Sequence, residues 1–253
     1  LKVMRDDLSR DESFVQRFRR EARSTAILSH PNVVAVYDQG EDDGHVFLAM
    51  ELVNGLTLRQ VMQSEGPLSP RAALDILDPV LQALGAAHSA GLIHRDVKPE
   101  NVILRDDGMV KVADFGLARA IATTTSTAET GILLGTVAYL SPEQVERGIS
   151  DARSDVYAAG LLLFEMLTGT KAFNGDSPIQ VAYQHVHHDV PSPSSLVDTV
   201  PVELDHLVAR ASARDPEGRP RDANELLAEM RSSRQALSVA ELDQGPAVAA
   251  GAV

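Results

Sequence analysis

The segment HRDVKPEN at residues 94–101, followed by DFG at 114–116, constrains this chain more than any other feature. Asp96 offers a carboxylate that can take a proton from an incoming hydroxyl, and Lys98 can neutralise charge on a moving phosphoryl group. Asn101 and Asp114 supply oxygens able to hold a divalent metal against a triphosphate. The four stand in the order that phosphoryl transfer from ATP needs, and the match is to an established signature, not a newly derived one. Chance readily supplies HRD or DFG alone, but hardly both at this spacing. The surroundings make the first motif a loop, because Gly91 stops a helix before it and Val102 opens a strand after it.

Around that loop the pattern is α+β. Residues 11–29 read as a helix, with Phe14, Phe18 and Ala22 four apart and Arg17, Arg19, Arg20 and Arg23 off that face. His30-Pro31-Asn32 breaks it. Two strands are predicted, Val33–Tyr37 and His45–Glu51, joined by the turn-rich stretch QGEDDG. From Leu68 onward helices dominate. Ser69 and Pro70 form a cap-plus-first-turn start, and Ala73, Ile76, Leu77, Val80, Leu81, Leu84 and Ala87 give a broad apolar face. Val102–Leu104 and Val110–Val112, separated by Asp106-Asp107-Gly108, read as a hairpin. Residues 154–168 predict a very apolar, buried helix, and further helices are expected at 177–188, 202–213 and 222–237. The Ala/Gly/Pro-rich stretch from 238 to 253 has too little to bury and reads as a disordered tail or linker.

Bulk properties narrow the function. The 253 residues suffice for one large domain or two lobes. Cysteine is absent, which excludes disulfides, thiolate zinc sites and a cysteine nucleophile, and fits a reducing cytosol. A net charge of −13 argues against nucleic-acid binding and suits a solvated acidic surface. No apolar run approaches about 18 residues, so no membrane span is predicted, and LKVMRDDLSR lacks the apolar core of a signal peptide.

Taken with LKVMR, RFRREA, HPNVV, AMELVNG, GTVAYLSPEQ, SDVYAAG and RDPEGRP, the two motifs make the chain resemble Hanks-type bacterial Ser/Thr protein kinases. The resemblance is to the kinase domains of actinobacterial receptor kinases of the PASTA group, and it covers residues 1 to about 235. It implies a bilobal α+β kinase fold. Residues 1–53 would be a partial upper lobe ending in the hinge, 54–237 a complete, mainly helical lower lobe, and 238–253 the tail. The family's glycine-rich loop would lie upstream of Lys2 and is missing, so the resemblance implies an N-terminally truncated sequence of uncertain activity as it stands.

Carried over position by position, the resemblance makes Lys2 the third-strand lysine that holds the α- and β-phosphates and Glu21 the helix glutamate that orients it. Asp96 becomes the general base, with Lys98 beside it, and Asn101 and Asp114 become ligands of Mg2+, with Mn2+ as an alternative ion. Met50 stands at the gatekeeper position, Glu51 and Val53 offer hinge backbone groups to the adenine of ATP, and Ile103 lies beneath its ring. His94 is expected to pack on Phe115 as core. Glu143 is expected to pair with Arg219, and Asp155 to accept N–H bonds from the catalytic loop.

The hydroxyl-rich stretch ATTTSTAETG matches an activation loop. Thr130 is the first-choice phosphosite and Thr127 the second, with Arg95 as the reader of the added charge. Thr136 corresponds to the family threonine that meets Asp96 and Lys98, which with Lys98 itself points to Ser/Thr acceptors. His185, His187 and His188 allow a metal site but are expected at a solvated helix end. The partners implied are protein substrates and a homodimer through the upper lobe. The compartment is cytoplasmic, including the cytoplasmic part of a receptor whose anchor would follow residue 253. Two other readings stay open: a non-catalytic nucleotide-binding scaffold, disfavoured by the intact Lys2, Glu21, Asp96, Asn101 and Asp114, and a small-molecule phosphotransferase, disfavoured by the SPE segment and the threonine-rich loop.

Overall fold

In HVFLAM, alternate side chains are apolar and large, which suits a strand with one buried face. That hexapeptide, β3 (His45–Met50), is the central strand of the first sheet, with Val46 and Leu48 buried on one side. The computed structural model describes residues 1–4, 15, 16, 18, 25, 26, 28–43, 45–115 and 137–245. On either side of β3 lie β1 (Lys2–Val3) and β2 (Val36–Asp42), both antiparallel to it, in the order β1-β3-β2. Lys2 pairs with Leu48, and Asp42 with His45. Met4, Val15, Phe18, Val46 and Leu48 form a small core beneath this sheet.

The expected strand at 33–37 and turn at QGEDDG are both shifted. Strand β2 begins at Val36 and runs through Gln39, Gly40, Glu41 and Asp42, and the turn is confined to the residues around Asp43, which takes a φ of 47°. Pairing with β3 satisfies the backbone of these polar residues, and Glu41 and Asp42 stay exposed, so composition misleads here. The Phe47 ring crosses over Gly40, 2.6 Å from where a Cβ would lie, so any larger residue there would make that ring shift. Val33 and Val34 belong elsewhere. Val33 bridges Val112 in parallel, Val34 N–H donates to Val112 O (2.9 Å), and Val112 N–H donates to Asn32 O (2.8 Å).

The second sheet has the order β4-β5-β6, from β4 (Gly55–Thr57), β5 (Val102–Arg105) and β6 (Val110–Val112). Gly55 has a φ of 153°, and a Cβ on it would stand 2.1 Å from Leu104 O, so only glycine lets the chain leaving the first sheet lie flat on β5. Strand β4 and the helix after it, α1 (Leu58–Glu65), were not expected. Thr57 and Gln60 form a capping box that starts α1, and Leu58 and Met62 are its buried anchors.

Helix α2 (Pro70–Ser89) starts as predicted, with Ser69 accepting from Ala72 N–H, and its apolar face is buried. Helix α4 (Ala152–Thr168) is buried from Ser154 onward and forms the axis of the large core. Around it stand α3 (Pro142–Arg147), α5 (Pro178–His187), α6 (Val202–Ala211) and α7 (Ala223–Ala236). Among the described residues no helix is long and apolar enough to cross a membrane.

The tail reading needs correction for its first residues. Ser238 and Glu241 form a capping box for α8 (Val239–Asp243), Leu242 is buried, and the Asp243 carboxylate pairs with Arg71 on α2. One leucine and one ion pair against an existing helix are enough to seat so short an element. His185 is also not at a solvated helix end: it is fully buried, whereas His187 and His188 are exposed. Among the described residues no three His, Cys, Asp or Glu side chains gather in a way that could hold a metal.

Candidate active site

The loop at 94–101 is fixed from beneath. Helix α2 ends at Ser89, Gly91 reverses the chain with a φ of 75°, and His94 then drops into the core with no exposure. Asp155, in the first turn of α4 and 1% exposed, accepts His94 N–H (2.7 Å), Arg95 N–H (2.8 Å) and His88 Nε2 (2.9 Å). Arg95 sits at a φ of 69°, which is unfavourable for a residue with a Cβ. The Asp155 carboxylate, itself buried and needing donors, holds the loop in that conformation.

His94 ties this loop to the strand that carries Asp114. Its Nδ1 accepts Asp96 N–H (3.2 Å), so the proton lies on Nε2, which donates to Ala113 O (2.9 Å). Its ring lies 4.5 Å from that of Phe115. Asp96 then projects outward with its carboxylate between two donors. Lys98 Nζ is 2.7 Å from Oδ2, and Asn101 Nδ2 reaches both Asp96 O (2.8 Å) and Oδ2 (3.0 Å). With its amide nitrogen so engaged, Asn101 is left with Oδ1 as an acceptor.

Asp114 also has positive φ (63°), and its Oδ1 lies 2.7 Å from Lys2 Nζ. The two residues are 112 positions apart, and pairing of β1 with β3 brings them together. Met50, at the end of β3, lines one small cavity with Asp114, Phe115, Val36 and Leu48. Glu51 N–H is committed to Ala35 O (2.8 Å), so what Glu51 offers a nucleotide is its carbonyl. Burial pushes its carboxyl up, but hydrogen bonds from Lys111 (2.8 Å) and Ala35 N–H (3.2 Å) outweigh that and hold it below the usual range. Val53 lies in the linker to β4, and Ile103 is half-buried on β5. The donor set suits Mg2+: an amide oxygen and a carboxylate are hard ligands, and this ion takes one or two such groups together with substrate phosphates.

Residues 1–230 match the protein kinase domain family. The chain belongs to that family. It is 52% identical over 241 residues to the serine/threonine-protein kinase PknL of Mycobacterium tuberculosis, an alignment covering 95% of this chain and 60% of that protein. It is 48% identical over 234 residues to PknB of Mycobacterium leprae, covering 91% of this chain and 38% of the relative. The chain thus spans three fifths or less of the length of these relatives. The kinase fold is α+β, in keeping with the helices and two small antiparallel sheets described above.

Four residues singled out for kinase chemistry or regulation, Glu21, Thr127, Thr130 and Thr136, lie outside the described residues. The loop that Arg95 would read is among them. Glu143 and Arg219 meet as a parallel pair (2.9 and 3.0 Å), with the Arg219 side chain fully buried. Burial pushes the Glu143 carboxyl up, yet Arg219 and Ser154 Oγ (2.7 Å) hold it below its ordinary value. This pair anchors α3 directly after the 137–141 segment.

One charged group escaped the reading of the sequence altogether. Arg59 on α1 donates to Glu100 of the catalytic loop (2.8 Å), to Glu165 on α4 (2.6 Å) and to the Tyr139 hydroxyl (2.7 Å). The Tyr139 hydroxyl also donates to Glu165. Burial, then the Glu165 charge, raise the Tyr139 phenol well above its ordinary value. The signal was present: a lone glutamate inside LLLFEML is a buried charge in need of a partner.

Proposed function

We propose that this chain is the catalytic domain of a serine/threonine protein kinase that transfers the γ-phosphoryl group of ATP to protein hydroxyls. Asp96 receives the proton of the acceptor hydroxyl as its oxygen bonds to the γ-phosphorus. The bond from that phosphorus to the bridging oxygen breaks, and ADP leaves with the electron pair. Lys98 neutralises charge on the group in transit. Lys2 holds the α- and β-phosphates, and the carbonyl of Glu51 with Val53, Met50 and Ile103 surrounds the adenine. Asn101 Oδ1 and Asp114 would hold Mg2+, which when bound neutralises phosphate charge. The observation that carries this reading is the joint tether through His94, which fixes the Asp96 loop and the Asp114 strand against each other.

The threonine-rich loop supports autophosphorylation, at Thr130 first and Thr127 second, with Arg95 as reader of the phosphate. Cytoplasmic placement and an upper-lobe homodimer complete the proposal, the latter open to sedimentation analysis. The deciding experiment is the intact mass of the full-length protein after incubation with MgATP, beside its Asp114→Asn variant. Whole phosphate increments in the parent alone are expected, and peptide mapping then tests Thr130. ATP binding without any increment would turn the reading toward a scaffold. Transfer to a sugar and not to peptides would turn it toward a small-molecule phosphotransferase.

A further inference from the structure

Residues 137–141 form the wall beside the catalytic loop: Gln144, just after them, donates to Arg95 O (3.4 Å), and Tyr139 shares Arg59 with Glu100. This places 137–141 beside Asp96, where a peptide could lie against it. Behind it, Val137, Phe173 and Val181 make a core of their own, separate from the large one. His185 closes that core from α5. It is fully buried, edge-on to Phe173 at 4.9 Å and 5.8 Å from the Tyr157 ring, with Tyr157 hydroxyl 2.9 Å from its Nδ1.

Its other nitrogen is the unusual feature. Nε2 is buried and close enough to the main chain of Val137 and Ala138 to feel it, yet makes no hydrogen bond of good geometry with either. Burial raises the Tyr157 phenol, so that hydroxyl stays protonated and donates to Nδ1, which leaves the imidazole proton on Nε2. Burial also lowers the imidazole to about 4, so the group is a neutral donor and not a charge. A buried donor without an acceptor is costly, and the main chain of 137–138 is within a small movement of it. Tyr157 carries Arg219 over its ring at 4.8 Å, and Arg219 holds Glu143, so the wall is anchored at both ends through one tyrosine.

We propose that His185 is a positioning residue for the peptide substrate. Its Nε2–H closes onto a main-chain carbonyl of Val137 or Ala138 when a peptide lies on the wall, and so sets the height of that wall against α5. The inference rests on the kinase reading above. The test is steady-state kinetics on the full-length protein, varying MgATP and a synthetic peptide of residues 121–135 separately, for the parent, His185→Phe, His185→Gln and Tyr157→Phe. The phenylalanine keeps the packing and loses the donor, so peptide KM should rise by up to about tenfold with ATP KM and kcat little changed. Glutamine, which restores an N–H at that reach, should recover most of the loss, and Tyr157→Phe should fall between. An unchanged peptide KM in His185→Phe, or an equal loss in every constant that glutamine does not rescue, would overturn the proposal. If His185→Phe does not fold, Tyr157→Phe decides by the same split. A parent that transfers phosphate neither to the peptide nor to the Asp114→Asn chain would overturn the kinase reading itself.

Discussion

The loop at 94–101 and the strand that bears Lys2 bring to one cleft the groups proposed above for phosphoryl transfer, yet they are held in opposite ways. The loop is over-determined. Asp155 takes three donors, His94 spans two segments, and Asn101 grips the Asp96 backbone and carboxylate together. Strand β1 is two residues long and, among the described residues, pairs with β3 alone, and the Lys2 side chain is 44% exposed where it meets Asp114. Groups that must hold one geometry are built into the helical core, where an unfavourable backbone such as that of Arg95 can be sustained. Lys2, proposed above to hold the triphosphate, has among the described residues one exposed ion pair, for which water and ATP can both compete.

That contrast can be broken by substitution. Asp155→Ala should cost the most, about 4 kcal/mol in urea unfolding, because it strands two backbone donors and His88 in the core. Glu143→Gln should cost about 3 kcal/mol by the same measurement, since it leaves the buried Arg219 without a counter-charge. A smaller effect depends on pH. The His185 imidazole is lowered from 6.5 to about 4 in the fold, so between those values the unfolded chain binds the extra proton and stability falls as the pH falls. Between pH 6 and 4.5 the parent should lose on the order of 2 kcal/mol more than His185→Gln does, as read from paired unfolding curves. Lys2→Met should cost least, under about 1 kcal/mol without nucleotide, while the rise in Tm on adding MgATP disappears. A Lys2 variant that unfolds as readily as the Asp155 variant would erase the distinction between the two regions.

Much of the rigid region was legible in the sequence, because its signals are local. Ser69-Pro70 and Gly91 bound α2, and the loop that follows carries its chemistry in eight consecutive residues. The Glu143–Arg219 and Asp155 contacts came only from the resemblance, since nothing local ties partners so far apart. Long-range pairing defeated the local reading elsewhere. The polar residues of β2 are a strand only because β3 lies beside them, and His185 is core only because Phe173 and Tyr157 enclose it. Helices α1 and α8 are a different case. Their capping boxes, Thr57 with Gln60 and Ser238 with Glu241, are written at the right spacing, and attention to them would have located both.

The short helix α8 gives the end of the described chain a mechanical character. Its Asp243 grips Arg71, while Arg231 and Arg234 of α7 grip Asp78 and Asp75, so every one of these clasps lands on α2. Tension applied at residue 245 would load α8 first, then α7, and both would hand it to the same strut. The far end of α2 runs through Gly91 into His94 and the Asp96 loop. The three clasps thus fall on one helix, and that same helix leads directly into the loop that bears Asp96.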